Sequence, residues 1–250
     1  MCEPATDHGA SGPAAWARAI ARQTGERPVC GAPGTPWSEV LDRAIKRDAG
    51  WLVVAYGSPG FPLPQSCARH ERLARLVGQA PCPVLTLQPW VGASAARLET
   101  AVVGVNASPK ARAAALAAAR LVSSVGGRGR LILAHGSEDH PAELAAHTPW
   151  PELTERMRPE RHAWIDELAR ELTARVLAVD IAVQLTWAPE LVAGLARRHA
   201  ADFVALGAGR CSEGVSKQLD RIHVQVLRES PCPLLMAAAR RDGRSPAPVA

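Results

Sequence analysis

The sequence predicts an α/β protein: a five-stranded parallel sheet with helices on both faces, duplicated, the first copy incomplete. Three observations carry this reading. Short apolar runs alternate with stripes of helical period along the chain. The runs are continuous rather than alternating, as in Ala101-Val102-Val103-Gly104-Val105, which marks strands buried on both faces. Finally, the second half recurs in the first at a fixed spacing of 150 residues.

The recurrence is read from matched segments. Ala80-Pro81-Cys82-Pro83-Val84-Leu85 returns as Ser230-Pro231-Cys232-Pro233-Leu234-Leu235. Trp51 to Gly57 lies opposite Ala201 to Gly207, Trp37 opposite Trp187 and Leu41 opposite Leu191. One ungapped register over this length predicts a duplicated unit.

In the second unit, the strand at 101–105 ends at Asn106. Ser108-Pro109 then supplies an N-cap and a proline at the first helical position, and Gly126-Gly127 stops the Ala-rich helix. Leu131 to Ala134 is a second strand. Ile165, Leu168, Leu172 and Val176 give one helical face. Val179 to Trp187 is a third strand, Leu191 with Leu195 a short helix, and Phe203 to Leu206 a fourth strand. Val215, Leu219, Ile222 and Val226 mark another helix, and Pro233 to Met236 the last strand. Alternation at these lengths means a parallel sheet covered on both faces.

The first unit offers a helix over Ala14 to Arg22, a weak strand near Val29, a helix from Trp37 to Arg47 and a strand at Leu52–Ala55. A helix before Gly78 and a strand at Val84–Leu87 complete it. Nothing in residues 1–27 resembles the first two strands of the complete unit, so strand 52–55 is expected to expose an unpaired edge. The expected division is 1–90 for the partial unit, 91–98 for a linker, 99–239 for the complete unit and 240–250 for a disordered tail.

Composition narrows the function. The chain has 250 residues, 47% hydrophobic and 21% charged, with a formal net charge of +5. Arginines are interleaved with acids, as in Arg158-Pro159-Glu160-Arg161, so no nucleic-acid stripe is expected. No apolar run reaches bilayer length and the N-terminus lacks a signal-peptide pattern, so no membrane partner is expected. The six cysteines form no C-x-x-C pair, which fits a reduced, cytoplasmic setting.

At Val103-Gly104-Val105-Asn106-Ala107-Ser108, Gly207 and the two Pro-Cys-Pro segments, the sequence resembles the universal stress protein family in its tandem form. The resemblance implies the Rossmann-like fold of the adenine nucleotide alpha hydrolases, strand order 3-2-1-4-5, and a ligand site between strands 1 and 4. Nucleotide-binding members carry an acid after strand 1. After strand 4 they carry Gly, two residues, Gly, nine residues, then Gly with Ser or Thr. Here Asn106 replaces the acid, Gly207 is kept, Arg210 replaces the second glycine and Asp220-Arg221 replaces the last pair. The resemblance thus implies nucleotide-binding candidates Asn106, Ala107, Ser108, His135, Gly207, Gly209, Arg210, Asp220 and Arg221, with His135 at the pocket mouth. The first copy retains Gly57 and Gly60, but His70-Glu71 stands in place of the final pair and half the pocket is missing. Fifth strands pair antiparallel in family dimers, so 84–87 and 234–237 are expected to form an intrachain pseudo-dimer or to serve a homodimer. A third reading is a degenerate paralogue whose role is to pair with other stress proteins.

His135-Gly136-Ser137-Glu138-Asp139-His140 gathers two histidines and two acids, and reads as a solvated loop rather than a metal site. Trp37 and Trp187 read as core or contact residues. No nucleophile elbow, Walker loop or zincin motif occurs, and Ser108 has no base at readable spacing. The expected function is a non-enzymatic stress-response regulatory or protective module with a degraded nucleotide pocket, no required cofactor and no catalytic residue. The alternative is an ATP-binding switch or weak ATPase using the second pocket.

Overall fold

The computed structural model describes residues 13–26, 28–31, 36–55, 67–88, 97–123, 129–137, 162–208 and 221–238, with a few positions between 142 and 155. The linker expected at 91–98 falls mostly outside these residues and the disordered tail at 240–250 entirely so. The elements of the first half are α1 (Pro13–Thr24), β1 (Val29–Gly31), α2 (Trp37–Lys46), β2 (Leu52–Ala55), α3 (Cys67–Gln79) and β3 (Val84–Leu87). The second half adds β4 (Thr100–Gly104), α4 (Pro109–Ser123), β5 (Arg130–Ser137), α5 (Ala163–Thr173), β6 (Ala178–Trp187), α6 (Ala188–Arg198), β7 (Phe203–Ala208), α7 (Arg221–Glu229) and β8 (Leu234–Ala238). Among the described residues no helix is long and apolar enough to cross a membrane.

All eight strands form one sheet in the order β1-β2-β3-β8-β7-β4-β5-β6. Read from β6 to β8, the second half has the 3-2-1-4-5 order. Every pairing is parallel except β3 with β8, where Leu85 faces Leu235 and the Thr86 hydroxyl donates to the Leu234 carbonyl at 2.9 Å. Two apolar layers sandwich the sheet, and each draws on both halves. One joins Trp16, Ile20, Trp51 and Leu85 to Val103, Leu121, Leu168 and Leu235 under α1, α4 and α5. The other joins Val40, Leu52 and Leu76 to Leu195, Val204, Val226 and Met236 under α2, α3, α6 and α7.

The expected open edge at Leu52–Ala55 is corrected. Three-residue β1 pairs with β2 through Val29–Leu52, Cys30–Val53 and Gly31–Val54, so β2 is flanked on both sides. At the repeat spacing β1 falls opposite β6, yet it stands beside β2 where β4 stands beside β7. With two strands fewer among the described residues of this half, β1 meets the otherwise unpaired N–H and C=O groups of β2, and α1 covers it from one face.

The single register of 150 is also corrected. β2 meets β3 through Val53–Leu85, and β7 meets β8 through Ala205–Leu235. The last strands are thus 150 residues apart but β2 and β7 are 152 apart, which puts Trp51 with Phe203 and Ala55 with Gly207. A shift of two residues keeps every side chain on its face of the sheet, so the apolar pattern is blind to it.

α4 owes its position to its alanines. Ala111, Ala114, Ala115, Ala118 and Ala119 are buried, and such small side chains let the helix lie close over β7, β8 and β4. Ser108 caps it as expected, its Oγ accepting the Ala111 N–H at 3.3 Å, with Pro109 at the first helical position. Asp202 fixes the start of β4, its Oδ2 accepting the Glu99 and Thr100 amides at 2.9 Å each.

Candidate functional site

After β4 the chain turns into α4 over one face of the sheet, and the helix that follows β7 packs on the other face. The carboxyl ends of these neighbouring strands therefore part at a topological switch point, where open α/β sheets bind ligands. A cavity of about 340 Å³ opens there, lined by Gly104, Val105, Asn106, Ser108, Lys110, Gly136, Gly207 and His223 among others. Gly207 is required by contact: a Cβ there would sit 2.5 Å from the Ala111 amide nitrogen in the first turn of α4. Gly136 is equally constrained, since its Cβ would lie 2.7 Å from the Thr186 carbonyl oxygen.

Asn106 and Ser108 form one capping network. Asn106 Oδ1 accepts the Ser108 amide at 3.1 Å and the Ser108 hydroxyl at 2.6 Å, while Ser108 Oγ accepts from Ala111. His223 is buried, with Nε2 3.0 Å from the Gly207 carbonyl oxygen. A carbonyl only accepts, so Nε2 carries the proton.

The helix ends around the cavity carry unusual charge. Helix N-termini favour acids, and α2 and α5 obey with Glu39 and Asp166. α4 has no acid in its first turn and carries Lys110 there instead. α6, which contributes Ala188 and Val192 to the wall, does carry Glu190, and that side chain is exposed.

The universal stress protein family model matches residues 98–238. The chain belongs to the universal stress protein family. Solved structures similar to it include a universal stress protein from Archaeoglobus fulgidus, at 17% identity and a TM-score of 0.51, covering 83% of this chain and 66% of that one. A putative universal stress protein from Pseudomonas aeruginosa matches at 17% identity and a TM-score of 0.43, covering 82% and 68%. UspA from Lactobacillus plantarum matches at 17% identity and 0.43, covering 58% and 99%. The chain spans just under two thirds of the Archaeoglobus fulgidus protein, with which it shares the fold. No curated protein matches it.

Of the residues that the family pattern singles out, the structure brings Asn106, Ser108 and Gly207 together at the cavity. Ala107 is exposed and absent from its lining. His135 is a correction. Successive residues of β5 point to opposite faces, so Ala134 and Gly136 line the cavity while His135 turns away. Its Nδ1 lies 2.9 Å from the Val105 carbonyl, and its ring packs 4.7 Å from His162 and 5.3 Å from Trp164. Arg221 is a second correction: its guanidinium sits over the Trp187 ring at 5.1 Å and is not part of the lining. Gly209, Arg210, Asp220, Gly57 and Gly60 lie outside the described residues, as does part of the loop at 135–140. No group of three metal-ligating side chains occurs among the described residues.

The match of Gly57 to Gly207 is corrected as well, because Ala55 is the residue that occupies the place of Gly207. Two cavity residues, Lys110 and His223, escape the sequence reading. Their signals are a base in a helical first turn, against the dipole preference, and a histidine next to the apolar stripe of α7.

Proposed function

We propose that the chain is a non-enzymatic universal stress protein whose second-half cavity takes a nucleotide-type anion, making it a regulatory binding module. The observation that carries this is the open cavity at the carboxyl ends of β4 and β7, where α4 begins with Lys110 and no acid in its first turn. Backbone N–H groups and helix dipoles there favour phosphate. Asn106 suits that ligand in a way the family's acid does not, for it adds no negative charge. Asn106, Ser108 and Gly207, the strand-end part of the family pattern, border the cavity. Binding rather than turnover is supported by Ser108, whose hydroxyl proton goes to Asn106 and whose lone pair caps α4.

One ligand per chain is expected. In the first half the strands next to each other are β1 and β2, both followed by helices on the same face. Among the described residues no switch point arises there, and Ala55 stands at the place of Gly207. The antiparallel β3–β8 seam supports the reading of a shortened copy joined to a complete one as a pseudo-dimer.

The test is calorimetric titration of the full chain with AMP and ATP, with and without Mg²⁺. Saturable binding tighter than about 100 μM, or roughly 5.5 kcal/mol, at one site per chain is expected. Absence of heat at millimolar ligand, together with no thermal shift, would sink the reading and leave a protein-contact module.

A further inference from the structure

His223 is a buried imidazole at a position where the matching helix uses a hydrocarbon. α7 and α3 align at a spacing of 150: Val226 and Leu227 are 0% and 1% exposed, and Leu76 and Val77 are 1% and 3% exposed. In that alignment His223, at 7%, falls opposite Leu73, at 0%. This helix packing therefore accepts leucine at the position. Burying a polar ring there instead costs free energy unless its atoms are matched, and the bond to Gly207 supplies a match.

Both residues border the cavity, and Gly207 lies against the first turn of α4. The bond between Gly207 and His223 thus lies at the wall where an anion is favoured by Lys110 and by the helix N-terminus. A bare carbonyl lone pair in that wall repels an anion and attracts a hydroxyl or amino donor.

We propose that His223 sets the ligand class of the cavity: by donating its Nε2–H to the Gly207 carbonyl it withdraws an acceptor from the wall, so that a phosphate-bearing nucleotide is selected over its neutral nucleoside. This rests on the anion-binding reading above. His223 is a positioning residue, acting through Gly207.

The experiment titrates AMP and adenosine separately into the full chain and into His223→Leu and His223→Gln, with a thermal melt of each. The wild type prefers AMP. In His223→Leu, which keeps its fold because leucine packs at the matching position, the AMP-to-adenosine affinity ratio falls about tenfold. In His223→Gln, whose amide N–H reaches for the same carbonyl, the ratio stays within about threefold of wild type. A mere packing role changes both affinities together and leaves the ratio alone. An unchanged ratio in the folded leucine variant overturns the proposal, and so does a glutamine variant that falls as far as leucine. Should the leucine variant not fold, His223→Ala takes its place with the same expected fall. A wild-type chain that binds neither ligand overturns the anion-binding reading itself, and this proposal with it.

Discussion

Cys232 is buried at the entry to β8, and that desolvation pushes its thiol up to about 11. The charge of Asp202 pushes in the same direction and the Ser230 hydroxyl opposes it. In the unfolded chain the thiol ionises near the ordinary value of about 8.5. Below that pH both states hold the proton and stability is unaffected. As pH rises toward 11 only the unfolded state ionises, so stability is lost across that window, by about 3 kcal/mol for this group. Urea melts between about pH 7 and pH 11 are expected to show a steeper alkaline decline in the wild type than in Cys232→Ala; parallel profiles would contradict it. Gly207 gives a second prediction at this scale. Gly207→Ala forces a Cβ against the Lys110–Ala111 backbone, costing about 2 kcal/mol by overpacking and closing the cavity to AMP. A thermal melt and an AMP titration of the variant check both effects, and unaltered AMP affinity would contradict the second. The family resemblance makes Asn106, Ser108 and Gly207 legible as site residues, and the strand ends and cap place them. His135 is not, because alternation says only that neighbours point opposite ways, and which phase faces the cavity is set by the packing of α4 and α6.

Helices α2 and α6 end by the same device. Asp48 and Ala200 adopt φ of 45° and 46°. The amides that follow, of Ala49 and Ala201, each reach back to Ala44 and Ala196 carbonyls at 2.9 Å. A left-handed alanine is strained and aspartate less so. Ala200→Gly is therefore expected to stabilise the chain by about 1 kcal/mol and Asp48→Gly by less. Thermal melts of the two variants check the order, and a lower Tm for Ala200→Gly would refute it. Most elements are legible from period and caps: the strands at 52–55, 84–87 and 131–134, the helix opened by Ser108-Pro109, and the stripe through Leu168 and Leu172. The position of β1 is not, because three residues carry no period, and their partner is decided by which strand is left with unpaired backbone groups. α1 is tied down by contacts that no local pattern announces, namely Trp16 and Ile20 in the layer it shares with α4 and the ion pair of Glu26 just beyond it with Arg120.

At the scale of the whole molecule, the continuity of the sheet depends on the β3–β8 seam. Val84 faces Met236 across it and Leu85 faces Leu235. The seam covers two apolar edges at once: Val84, Leu85, Leu234, Leu235 and Met236 are all 0% exposed. Joined within one chain, such edges meet at high effective concentration. The full chain is therefore expected to be a monomer, since β8 is already paired with β3. Removing residues 1–97 takes β3 away and leaves β8 as an apolar edge with free N–H and C=O groups, a template for another strand. The remaining 98–250 segment, which carries the complete five-strand order, is expected to dimerise through β8. Light scattering across a concentration series separates the outcomes: a monomeric full chain beside a dimeric segment supports the seam as an internalised dimer contact. A full chain that dimerises as readily as the segment would place the association elsewhere, at the sheet edges β1 or β6.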